Sequence, residues 1–163
     1  MTAQYSERLI YQGMEHMLCS EPLGHFLENT GSTLKFHSPH TALWRGYIGT
    51  WAIEADRLYL TGLRGYLLED DKEREVGLDA LFSDYPQGVF AHWFTGELRC
   101  PSGERLNYVH GGFNSTYERD LFLRVQRGVV VEERNVVNGA AVASKAGDFD
   151  DYVIPAHLRK ETD

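Results

Sequence analysis

Between Leu43 and Leu68 the chain reads LWRGYIGTWAIEADRLYLTGLRGYLL, and the register of that stretch decides the class of fold. Aromatic and branched residues dominate it, Gly interrupts it, and one turn satisfies both faces at once. A two-residue loop at Ala55-Asp56 sets Ile53 against Leu58 and Trp51 against Leu60 on one side. On the other side it sets Ala52 against Tyr59 and Glu54 against Arg57, an opposite-charge pair beside the turn. Ala-Asp is not a favoured type I′ pair, so a loop one residue longer is the competing reading. The far end of the chain answers in the same way. In Asp120–Val136, DLFLRVQRGVVVEERNV, a three-residue loop Gln126-Arg127-Gly128 aligns Val125 with Val129 and Leu123 with Val131. Arg124, Glu132 and Arg134 then fall on the wet face.

Between these hairpins, Val89–Thr95 and Arg105–His110 read as strands joined through Pro101-Ser102-Gly103, with Leu98 opposite Leu106. Upstream, Glu7–Leu18 reads as strand, because Gly13 and the Ile10-Tyr11 pair weaken a helix. Gly77–Asp84 is the one helix candidate, two turns ending before Tyr85-Pro86. Asn138–Asp151 reads as a connector, and Tyr152–Leu158 as a last strand or arm. The expected architecture is therefore mainly β: an antiparallel sandwich or barrel-like meander of about 7–9 short strands with one short helix. It forms a single domain over residues 1–158, with a polar tail at 159–163.

Composition agrees. The 163 residues are 42% hydrophobic and 25% charged, a globular balance, and no apolar run reaches the length of a membrane span. The polar stretch Met1–Arg8 lacks a signal-peptide core, and two cysteines make at most one bridge. A soluble, cytoplasmic protein with buried free thiols is the expectation. The net charge of −8 is concentrated in Glu69–Glu75 (EDDKERE, five acids to two bases) and in Asp148–Asp163 (again five to two). These read as solubilising segments or as a surface for a basic partner. No Lys/Arg cluster offers itself to phosphates in series, which argues against nucleic acid. Yet 12 of the 16 basic residues are Arg, whose planar fork suits an isolated carboxylate or phosphate.

Gly49-Thr50-Trp51 resembles the Gly-x-Trp of the first strand in lipocalin and avidin-like barrels. The likeness covers three residues and follows some 48 others that also read as structured, so it assigns no family. Its local meaning is that Trp51 faces the core and Gly49 lets a neighbour approach. The aromatic residues, Trp44, Trp51 and Trp93 among them, read mainly as alternating core positions.

No HExxH, CxxC, EF-hand, phosphate-loop or Gly-x-Ser-x-Gly pattern occurs, and His37-Ser-Pro-His40 lacks further ligands in sequence. No metal or cofactor is expected. The stretch that stands out is Tyr108–Asp120, YVHGGFNSTYERD, a polar, Gly-rich joint between strands. His110 with Glu118 or Asp120 would make a base and its orienting carboxylate, and Ser115 or Thr116 a nucleophile. As a recognition loop the same stretch would use His110, Phe113, Asn114, Tyr117 and Arg119. The favoured expectation is a non-catalytic binding module, of the ligand-binding, adaptor or inhibitor/immunity type, with a small ligand or a protein as partner. An exposed sheet edge would also allow a homodimer. The alternative is a small hydrolase or isomerase built around residues 108–120.

Overall fold

The computed structural model describes residues 3–30 and 34–139. The described residues are mainly β, with nine strands in one sheet, one α-helix and a 3₁₀ turn. The strands are β1 (Glu7–Tyr11), β2 (Met14–Leu18), β3 (Tyr47–Glu54), β4 (Arg57–Glu69), β5 (Lys72–Val76), β6 (Val89–Phe90), β7 (Gly96–Asn107), β8 (Thr116–Gln126) and β9 (Val129–Val137). They follow the order β2-β1-β3-β4-β9-β8-β7, and β5 and β6 pair with β4 outside that path. All strand pairings are antiparallel except β1 with β3, which run parallel.

The β3–β4 hairpin has the expected two-residue loop: Ile53 pairs with Leu58, Trp51 with Leu60, Ala52 with Tyr59 and Glu54 with Arg57. Ala55 and Asp56 both take positive φ, 50° and 62°, the type I′ geometry that matches strand twist. Residues 69–75, the acidic segment, form a second such hairpin. Asp70 and Asp71 turn at φ 51° and 62°, and the guanidinium of Arg74 meets the Glu69 carboxylate at 2.7 Å. The segment 7–18 is likewise two strands, reversed at Gln12-Gly13.

Four local expectations need correction. The β8–β9 loop is Arg127-Gly128, not three residues: Arg127 itself takes φ 48°, so Gln126 pairs with Val129 and Val125 with Val130. A bulge between Arg124 and Val125 absorbs the extra residue and sets Leu123 opposite Glu133. Pro101-Ser102-Gly103 is no turn but a bulge inside one long strand, and Leu98 pairs with Leu123 rather than Leu106. An edge strand tolerates Pro101 because its missing N–H is not needed by a neighbour, and Gly103 supplies a φ of 85°. Gly77–Asp84 forms only a 3₁₀ turn over Leu78–Ala80, and Val89–Thr95 is strand only at Val89–Phe90. The helix, α1, lies at Pro22–Asn29 instead. Pro22 occupies its first turn, and Leu23, Phe26 and Leu27 form an apolar i, i+3, i+4 stripe. The suggested arm at Tyr152–Leu158 and the 159–163 tail lie outside the described residues.

The sheet curls around one core of Leu9, Trp51, Leu58, Leu60, Leu98, Leu123 and Val125, covered on one side by Leu23 and Phe26 of α1. Trp93 packs beside Phe26 and Phe82, and its indole N–H donates to Pro22 O at 2.9 Å. Trp93 sits in a turn and Trp44 is exposed in another, so only Trp51 keeps the strand setting expected of all three. The curl does not close. β4 touches β9 through a single pair, Arg57 with Val129. The outer edges, β2 and β7, approach where Cys19 N–H donates to Arg99 O at 2.8 Å and Arg99 N–H donates to Ser20 Oγ at 3.0 Å.

Candidate functional site

Strand alternation turns Arg99, Asp120 and Phe122 toward the same outer face of β7–β8, opposite buried Leu98, Cys100 and Leu123. The joint 108–115 folds back across that face, and Arg99 holds it there. Its Nε donates to Asp120 Oδ1 at 2.8 Å, Nη1 to Phe113 O at 2.6 Å and Nη2 to Ser115 O at 2.9 Å. Asp120 is buried and accepts a second hydrogen bond, from Asn138 Nδ2 at 2.8 Å. Asn138 also reaches Tyr117 O, so the end of β9 braces the start of β8. Ser115 Oγ is engaged with the backbone of Val109, accepting from its N–H at 3.0 Å. The joint is thus fixed to the sheet by its own polar atoms.

Between joint and sheet lies a cleft of about 450 Å³. Val109, Phe113, Asn114 and Ser115 form one wall, and Arg99, Asp120, Phe122 and Asn138 the other. Phe113 and Ser115 also line a smaller hollow of about 130 Å³ with Cys19, Arg105, Tyr108 and Tyr117. Of the five residues expected to bind, Phe113 and Asn114 line the cleft and Tyr117 the smaller hollow. His110 is exposed and stacks edge-on against Tyr108, its Nδ1 3.4 Å from the phenol oxygen. Arg119 is exposed on β8 beside Gly103 and lines neither space. The base–carboxylate pairing of His110 with Glu118 or Asp120 does not form. Asp120 belongs to Arg99 and Asn138, and Glu118 Oε1 accepts from Glu104 N–H at 2.6 Å.

A second polar centre lies beneath Phe113. Glu7, on the inward face of β1, is fully buried. Its Oε2 accepts from Arg45 Nη2 at 2.8 Å and from Gly49 N–H at 2.7 Å, and its Oε1 accepts from the Trp51 indole at 3.0 Å. Burial pushes the Glu7 carboxyl above its usual range, against the opposing pull of Arg45, Trp51 and Gly49. The Arg45 guanidinium lies over the rings of Tyr47 and Phe113, at 5.5 and 5.7 Å from their centroids. Gly49 is required here: a Cβ would stand 2.6 Å from Glu7 Oε1. So Gly49 does let a neighbour approach, and the neighbour is a carboxylate. The sequence signal for Glu7 is its period-two spacing from Leu9, which puts an acid on the core face.

Other sequence features resolve quietly. His37 faces Glu73 at 3.6 Å and His40 packs on Tyr5, so the two rings part. Among the described residues no three His, Cys, Asp or Glu side chains gather as metal ligands, and no helix is long and apolar enough to cross a membrane. Both cysteines are free thiols; burial pushes Cys19 up to about 11 and Cys100 to about 12. No protein-family model, curated protein or solved structure matches the chain.

Proposed function

We propose that the protein is a binding module that receives a small ligand in the cleft between the 108–115 joint and the outer face of β7–β8. The observation that carries this reading is the cleft itself, a space of about 450 Å³ whose walls are pinned by Arg99. A volume in the range of small-molecule sites, two phenylalanine side chains and a few fixed polar groups suit a compact, partly flat ligand. Prior fixation of the loop lowers the ordering cost of binding. The hydrolase or isomerase alternative lacks such support, because Glu118, Asp120 and Ser115 are engaged elsewhere and His110 pairs with neither carboxylate.

Native mass spectrometry of the protein purified from its host tests the reading against Asn114→Ala and Phe113→Leu, with Arg119→Ala as the neutral comparison. A bound mass kept by wild type and Arg119→Ala but lost from the other two is expected. Bare protein throughout, together with a fragment screen that shifts no backbone amide of residues 109–122, overturns it.

A further inference from the structure

The smaller hollow behind Phe113 has a character of its own. Arg105 and Tyr117 are cross-strand partners on β7 and β8, so their side chains share one face. The Arg105 guanidinium lies over the Tyr108 ring, 4.6 Å from its centroid. Among the described residues no carboxylate comes within 4.0 Å of it, in contrast to Arg45 and Arg99, which are each paired with a buried acid. A guanidinium seated over an aromatic ring with no carboxylate beside it keeps N–H donors for an incoming group, and its planar fork suits a carboxylate or phosphate. Gln4, Ser6, Tyr108, Ser115 and Tyr117 add amide and hydroxyl groups to the lining. Cys19, also in the lining, stays a neutral thiol because burial raises it to about 11, so it brings no competing negative charge.

Size completes the case. A hollow of about 130 Å³ is too small for a ligand of ordinary dimensions but has room for one terminal group. It shares Phe113 and Ser115 as a wall with the larger cleft.

We propose that Arg105, seated on Tyr108, receives the carboxylate or phosphate end of a ligand whose flat body occupies the neighbouring cleft. This rests on the binding-module reading and gives its ligand a class: a small aromatic or planar anion.

The test is a titration followed by ¹H–¹⁵N spectra, with phenyl phosphate, phenol and inorganic phosphate as probes, on wild type, Arg105→Gln and Arg64→Gln. Arg64 is an exposed arginine paired with Glu75, remote in sequence from the joint. Phenyl phosphate is expected to shift amides of Arg105, Tyr108 and Tyr117 together with those of Asn114 and Phe122. Arg105→Gln should weaken it about tenfold, the loss of a charge-assisted pair, while Arg64→Gln does not. Tyr108→Leu, which keeps the charge but removes its seat, should weaken it as well. Equal phenyl phosphate affinity in wild type and Arg105→Gln, with shifts confined to the larger cleft, overturns the anion site and leaves the binding module standing. Shifts centred on Arg8 and Arg64 also overturn it, as diffuse surface attraction. No shift at either space with any probe overturns both.

Discussion

Glu7 is a carboxylate taken out of water, and its surroundings make its cost conditional on its partners. Arg45, the Gly49 amide and the Trp51 indole together occupy both of its oxygens. Removing one partner therefore strands a buried charge. Arg45→Met is expected to destabilise the fold by about 3–5 kcal/mol in guanidinium melts, and Glu7→Met combined with Arg45→Met to recover much of that loss. Trp51→Ala removes both a fully buried ring and a donor to Glu7, and should also cost about 3–5 kcal/mol. A change below about 1 kcal/mol would be incompatible with that burial. The thiols set a separate, alkaline limit. Cys19 and Cys100 rise from an ordinary 9.0 to about 11 and about 12, chiefly through burial. The folded chain therefore keeps protons that the unfolded chain releases, so stability falls as pH climbs from about 9 toward 11–12. The slope is about 1.4 kcal/mol per pH unit for each thiol within its window. Melts between pH 8 and 11 should show this decline, and Cys19→Ala should flatten it.

Hairpins show how far local pattern reaches. The β3–β4 register is legible because its dry face and its Glu54–Arg57 pair demand the same two-residue loop. Yet the positive φ of Ala55 and Asp56 carries a steric cost. The double substitution Ala55→Asn with Asp56→Gly should raise stability by about 0.5–1 kcal/mol. Unchanged thermal melts would mean that the turn is not strained. The β8–β9 loop reads one residue too long because Gly128 is the obvious left-handed residue, whereas Arg127 adopts that conformation too. Pro101 suggests a turn because nothing local says that β7 is an edge. The helix at Pro22–Asn29 has its stripe in Leu23, Phe26 and Leu27, but eight residues with Gly24 inside give little periodicity to read. The parallel pairing of β1 with β3 is a long-range fact that no local spacing encodes. At the site, the Gly-rich polar joint points to Phe113 and Asn114. Arg99, which holds that joint, lies outside it in sequence and carries no local signal of that task.

At the scale of the molecule, the sheet is joined across β4 and β9 by one residue pair and across its outer edges by the bonds at Cys19, Ser20 and Arg99. Arg119→Ala should change neither stability nor hydrogen exchange, since its side chain is exposed and lines neither space. Arg99→Ala should raise exchange at the amides of residues 109–115 by about tenfold or more, because two bonds that hold the joint, to Phe113 O and Ser115 O, end on that side chain.

Arg99 uses its main chain and its side chain for different tasks, and a ligand in the proposed cleft would couple the two. The backbone groups latch the two free margins of the sheet, while the guanidinium secures the lip of the cleft. A ligand that stiffens the lip favours the conformation in which the latch is shut, and by reciprocity a shut latch favours the ligand. Saturating the cleft should therefore slow exchange at the Cys19 and Arg99 amides, whose hydrogen bonds lie at the sheet margin. Ser20→Ala, which removes one of the two latch bonds without altering the cleft lining, should weaken the same ligand.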